Sequence, residues 1–315
     1  MRRNLTILLL IVFSGIHLAG NGQNLRAYFT FCTFQSPDTG PYIETYFTVV
    51  GNSVKYVKNA EGKFQGKVLI TMLFKQGGEI VNYKKYNLLS PALTDTVSGF
   101  SNFIDQQRIS LPAGKYDFEI ELKDNNSNNP AFTSAQPIEI GHTGDELCIS
   151  DIELIESYKK TQQESILSKS GFDLIPYVSD YFPASMKHIT FYAEIYNTEK
   201  SFGKDGKYLL NFYIRSFESG AVLGQFRGFE RQEAAPVNAI LKSINIETLP
   251  SGNYKLVLEV RDRENELIAE KQLFFQRNNP SAVIKSDQLA AIAVENSFVS
   301  AIPHPDTLSD YIHSL

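Results

Sequence analysis

Two stretches of the chain carry the same alternation of apolar and polar positions. In residues 111–124, Tyr116, Phe118, Ile120 and Leu122 are separated by Asp117, Glu119 and Glu121; in 249–262, Tyr254, Leu256, Leu258 and Val260 recur at the same spacing. Period-two alternation sets one face in a core and the other toward water, so each stretch predicts a β-strand. Each follows the same turn, Leu-Pro-Ala-Gly-Lys-Tyr at 111–116 and Leu-Pro-Ser-Gly-Asn-Tyr at 249–254, in which Pro and Gly supply a tight reversal. The match continues upstream, where Val68, Ile70, Met72 and Phe74 fall opposite Tyr208, Leu210, Phe212 and Ile214, and 45–50 align loosely with 190–195. The offset drifts from 145 positions (Thr45 to Thr190) to 138 (Leu111 to Leu249), as small loop insertions produce in a duplicated domain. Gly77-Gly78 and Ser219-Gly220 mark hairpin turns after the matched strands.

Many short strands with turn signals between them predict an all-β chain of two tandem immunoglobulin-like or fibronectin-like β-sandwiches, at 24–143 and 144–278. In such sandwiches a Leu-Pro-x-Gly-x-Tyr turn leads into the penultimate strand. Tyr116 and Tyr254 are therefore expected to bond back to the turn backbone as tyrosine corners. Between the first and second clear strands of the second domain, residues 157–188 carry Phe172, Tyr177, Tyr181 and Phe182 among Pro176 and Pro183. Two readings stand: a long loop packed by its own aromatics, or a docking surface for a protein partner.

Residues 279–315 read as a linker and the start of a helical segment. Asp306 or Thr307 can cap a last helix in which Leu308, Tyr311, Ile312 and Leu315 fall at i, i+3, i+4 and i+7 on one face. So short a helix is marginal alone, so this face requires cover from the second sandwich, a further domain or a protein partner.

The N-terminus changes the compartment. Arg2 and Arg3 precede an apolar run from Leu5 to Leu18, too short to cross a bilayer comfortably, and Gly20 and Gly22 supply the small residues for cleavage before Gln23. Residues 1–22 thus read as an export signal, with an N-terminal anchor helix as the alternative. Asn21 stands where a bacterial lipoprotein needs Cys after Leu-Ala-Gly, so lipid anchoring by that route is not expected. No later stretch approaches about 18 apolar residues, so no transmembrane helix is expected in the mature chain. Export permits a disulfide between Cys32 and Cys148, but their flanking strand-type residues fit two buried, unpaired thiols as well.

Removing Arg2 and Arg3 takes the basic residues from 30 to 28 against 35 acidic ones, and the formal charge from −5 to −7. With no basic run or stripe, nucleic acid is not an expected partner. His142, His188, His304 and His313 are scattered without metal-ligand spacing. Residues 62–68 lack the length and the Ser/Thr of a phosphate loop and read as a turn. Asp124, Asn126 and Asn128 imitate the start of a calcium loop, but Asn129 and Ala135 replace its Gly and Glu, so a hairpin loop is expected. No serine elbow, paired carboxylates or cofactor motif stands out. No catalytic, cofactor-binding or metal residue is assigned, and no cofactor is implied.

Several segments resemble the N-terminal region of bacterial GWxTD domain-containing proteins: 103–112, 169–177, 191–198, 261–267 and 274–277. The resemblance covers nearly the whole mature chain and implies a signal peptide and β-sandwich region ahead of a C-terminal domain bearing Gly-Trp-x-Thr-Asp. There is no Trp anywhere, so that motif is absent. The chain accordingly reads as a fragment, or as a member without that terminal domain. The function expected is that of an exported, non-enzymatic protein for protein interaction or structural spacing in the periplasm or envelope of a Gram-negative bacterium. The alternatives are accessory modules of a larger protein with an active C-terminal domain, or a glycan-binding module; the lack of Trp, the broadest stacking surface, weighs against the latter.

Overall fold

A computed structural model describes residues 24–282, apart from 37, 98, 142 and 143. The export signal expected at 1–22 and the helix face expected of Leu308, Tyr311, Ile312 and Leu315 fall outside the described residues.

The first sandwich comprises β1 (Ala27–Ser36), β2 (Gly40–Val49), β3 (Val57–Lys58), β4 (Phe64–Gln65), β5 (Lys67–Gln76), β6 (Glu79–Leu89), β7 (Phe103–Ser110), β8 (Gly114–Asp124) and β9 (Phe132–Ile140). One antiparallel sheet has the order β1-β2-β7 and the facing sheet β6-β5-β8-β9. The alternating side chains meet between them: Ile43, Phe47 and Val49 on one side, and Ile70, Met72, Phe74, Phe118 and Ile120 on the other. Gly77 and Gly78 both take positive φ (58° and 89°), the geometry a two-residue type I′ turn demands between β5 and β6.

The second sandwich comprises β10 (Cys148–Ile149), β11 (Glu153–Lys160), β12 (Ser168–Lys169), β13 (Phe172–Pro176), β14 (Tyr181–Pro183), β15 (His188–Tyr196), α1 (Thr198–Phe202), β16 (Lys207–Ser216), β17 (Val222–Glu233), β18 (Val237–Asn245), β19 (Gly252–Arg261) and β20 (Leu267–Asn278). β15 lies between β18 on one side and β10 and β11 on the other, and β13 and β12 extend that sheet past β11. The facing sheet runs β14-β20-β19-β16-β17.

The duplication extends to register. Ile70 pairs with Leu122, Met72 with Ile120 and Phe74 with Phe118; their aligned counterparts pair as Leu210 with Val260, Phe212 with Leu258 and Ile214 with Leu256. A one-residue slip would turn every side chain to the other face, so this agreement fixes the same inward set in both copies. Both tyrosine corners form: Tyr116 Oη donates to the Pro112 carbonyl at 2.7 Å and Tyr254 Oη to that of Pro250 at 3.1 Å.

Residues 157–188 are not an irregular loop. β11 runs on to pair with β13, a Ser170-Gly171 turn with φ of 49° and 83° folds β12 onto β13, and β14 adds in parallel to β20. One segment therefore widens both sheets of the second sandwich. Among the described residues, no helix is long and apolar enough to cross a membrane.

Candidate functional site

The outer face of the β1-β2-β7 sheet is the most unusual surface of the first sandwich. With Ile43 and Phe47 of β2 pointing inward, strand alternation turns Tyr42, Glu44 and Tyr46 outward, yet Glu44 and Tyr46 are fully buried. The cover comes from the second sandwich, where Ile155, Leu174 and Tyr192 join Cys32, Phe34 and Tyr46 in one apolar cluster. The two sandwiches therefore share a core between the outer faces of their first sheets.

At its centre Lys169, 7% exposed, extends from β12 to two carboxylates. Its Nζ lies 2.6 Å from Glu44 Oε2 in the first sandwich and 2.7 Å from Glu153 Oε2 in the second. It also sits 3.7 Å from the ring centroid of Phe34, a cation–π contact strengthened by the lack of water. Arg108 Nε meets Glu44 Oε1 at 3.2 Å while its Nη2 donates to the Ser168 carbonyl at 3.0 Å. Gln106 donates to both the Glu44 carboxylate and the Ile166 carbonyl. Residues 44, 106 and 108 thus grip both the Lys169 side chain and the backbone that delivers it.

Burial disfavours the Lys169 ammonium, but Glu153 and Glu44 together outweigh that penalty and hold its pKa above the ordinary lysine range. Two carboxylates share this one ammonium. Burial, reinforced by the Glu44 charge and opposed by Lys169, raises Glu153 above the usual carboxylate range.

Further contacts tie the domains along one line. Asp151 Oδ2 accepts Thr33 N at 2.8 Å and Thr33 Oγ1 at 2.7 Å, and Cys32 Sγ donates to the Ile152 carbonyl at 3.6 Å. Tyr196 Oη accepts from Gln35 N at 2.9 Å and donates to Glu194 Oε2 at 2.6 Å; Tyr192 Oη donates to Glu194 Oε1 at 2.5 Å. Burial first, and then the Glu194 charge, push both phenols well above their ordinary range, so they remain protonated donors. On the far side, fully buried Arg277 donates to the carbonyls of Pro183 at 2.6 Å and Met186 at 2.7 Å and holds the end of the inserted segment against β20.

The aromatics singled out in the sequence lie in this framework. Phe182 is 1% exposed and packs edge-on against Phe275 at 5.5 Å, with Tyr177 5.0 Å from it. Tyr177 Oη donates to the Tyr181 carbonyl, Tyr181 Oη accepts from Asn278 Nδ2, and half-buried Phe172 meets Tyr158 edge-on. Cys32 and Cys148 are both free, the first buried and the second half-buried. Asp124 accepts from the backbone of Lys55 and Asn126, and so braces a turn. His188 is exposed on β15, whereas His142, His304 and His313 lie outside the described residues. Among the described residues, no group of three or more His, Cys, Asp or Glu side chains converges as a metal site. Glu44, Lys169 and Glu153 did not stand out in the sequence; the available signal was that β2 and β15 carry large side chains on both faces.

No family model and no curated protein matches the chain. Among solved structures it is similar to a glycosyl hydrolase family 2 member from Bacteroides cellulosilyticus, at 10% identity and a TM-score of 0.29, over 74% of this chain and 28% of the other. It is also similar to the fibronectin(III)-like modules of Clostridium thermocellum CbhA, at 9% identity and a TM-score of 0.20, over 77% and 89%. For a β-glucuronidase of Bacteroides uniformis the values are 11% and 0.22, over 73% and 26%. The chain thus spans about a quarter of the length of the two enzymes. Likenesses this distant carry no statement about activity.

Proposed function

We propose that this chain is an exported, non-enzymatic protein that holds two β-sandwiches in one fixed orientation, for protein interaction or structural spacing in the envelope of a Gram-negative bacterium. The observation that supports this reading is the junction around Lys169. Interfaces between flexibly linked domains are small and solvated; here an ammonium and two carboxylates are enclosed among aromatic rings, and Arg108 and Gln106 of one sandwich bind the backbone of the other. Separating the domains would expose that cluster and its apolar surround together.

The test has two parts. Expressed from its full gene in a Gram-negative host, the protein should reach the periplasmic fraction with Gln23 as its first residue; cytosolic retention with residues 1–22 intact would sink the export reading. Nitroxide labels at Thr133 in β9 and Arg231 in β17 should give one narrow interdomain distance, broadened by Lys169→Met. A broad distribution in the otherwise unaltered protein would sink the spacing reading.

A further inference from the structure

The outer face of the β14-β20-β19-β16-β17 sheet is where this acidic chain gathers its arginines. Register sets Arg227, Phe229 and Arg231 of β17 beside Tyr213, Asn211 and Leu209 of β16, and those beside Val257, Glu259 and Arg261 of β19. Arg215 and Lys255 form the next row. Leu210, Ile214, Leu256 and Leu258 alternate with them and fill the core, so these side chains point away from it. Of the eight arginines after residue 22, four lie on this face with Lys255, against Glu259 and Glu270. The first sandwich differs: where the second has Lys255, Val257 and Glu259, its matching face carries Asp117, Glu119 and Glu121.

The centre of the face is paired within itself. Glu259 accepts from Tyr213 Oη and Arg261 Nε, both at 2.8 Å, and Arg215 faces Glu270 at 3.6 Å. The margin is not. Phe229 is 69% exposed between Arg227 and Arg231, whose side chains join no ion pair or hydrogen bond among the described residues. At about 3.4 Å per residue these two positions lie about 14 Å apart, with the ring midway. Beside them Asn211 Oδ1 has no hydrogen-bond donor, although the residue is only 8% exposed.

We propose that this face binds a carboxylated polysaccharide, a polyuronate, laid across β17 and β16. Planar guanidinium groups pair bidentately with carboxylates, and the Phe229 ring offers an apolar surface to the C–H face of a sugar between them. Sugar hydroxyls also bring donors, which acidic peptide side chains lack and Asn211 Oδ1 calls for. A peptide added to the edge of β17 would lie in the plane of the sheet, off which these side chains point. A nucleic acid spaces its phosphates far more closely than these arginines. A second copy would set one arginine-rich face against another. Because charge leads the recognition, the missing tryptophan does not count against it as it does for neutral sugars.

Titration calorimetry of the mature protein with polygalacturonate at physiological salt tests this. Polygalacturonate should bind, dextran should not, and poly-L-glutamate should bind at least about tenfold more weakly. Arg227→Gln/Arg231→Gln should weaken polygalacturonate binding by about tenfold or more, the loss of two charge-assisted contacts. Phe229→Ser, which leaves the charge unchanged, should weaken it several-fold. Lys84→Gln/Lys85→Gln, on the first sandwich, should leave it unaltered. No binding, binding indifferent to the arginine pair, or poly-L-glutamate held as tightly as polygalacturonate would overturn the proposal. The substituted residues are exposed, and circular dichroism of each variant confirms that the fold is retained. The interdomain distance is a separate readout, so this proposal and the fixed orientation of the sandwiches stand or fall independently.

Discussion

Tyr116 and Tyr254 stand 138 positions apart, and each reaches back to the carbonyl of the proline four residues before it. The chain therefore fastens the entry to its penultimate strand twice in the same way. Replacing either with Phe keeps the ring and removes the bond, leaving a carbonyl short of a partner. Each change should lower stability by roughly 1 kcal/mol. Thermal unfolding should show this as a midpoint about 2–4 °C lower.

Lys169 is the change with the largest expected effect. Lys169→Met leaves Glu153 enclosed without a cation and Glu44 with Arg108 alone, and should cost about 3–5 kcal/mol in urea unfolding. Lys169→Met/Glu44→Gln/Glu153→Gln removes the charges together and should recover most of that loss. If the triple variant were as unstable as the single one, packing rather than charge would be responsible.

The raised pKa of Glu153 fixes the sign of a pH effect. In the range between its unfolded and folded pKa values the native state holds a proton that the unfolded state has released. Stability from this group is therefore greatest in acid and declines as pH rises through that range. The difference in unfolding free energy between the unaltered protein and Glu153→Gln should fall from the ordinary carboxylate range upward, then level off. A difference that rose with pH would contradict the proposed environment of Glu153.

The two thiols should differ in reactivity. Burial, with Glu153 and Asp151 nearby, pushes Cys32 well above the usual thiol range, and burial alone raises Cys148 more moderately. A thiol-specific reagent should modify Cys148 slowly and Cys32 only on unfolding, when both become available. Prompt modification of Cys32 in the native protein would mean that the two sandwiches separate readily.

The sequence carried the fold further than the site. Alternation at 68–74 and 116–122, repeated at 208–214 and 254–260, placed the strands and marked which of their side chains face a core. That worked because each sandwich core depends on its own strands. The junction depends on which outer face meets which, and alternation within one strand does not encode it. Glu44 reads as an ordinary solvent-facing residue of β2 until the second domain is laid over it. Its neighbours hinted otherwise, since Tyr42 and Tyr46 are large for positions that face water. The inserted strands were obscured by their brevity and by Pro176 and Pro183, although Ser170-Gly171 was a legible hairpin signal.

The wiring of the junction also orders assembly in time. The first sandwich has all its strands once residue 140 has emerged, but the side chains that cover Glu44 belong to residues 153–192. As the chain appears from its N-terminus, the first domain can close its own core while Glu44, Tyr42 and Tyr46 still face water. Their dehydration waits for the second sandwich, whose Lys169 joins Arg108 at Glu44 as the solvent leaves, so the carboxylate need never be buried alone.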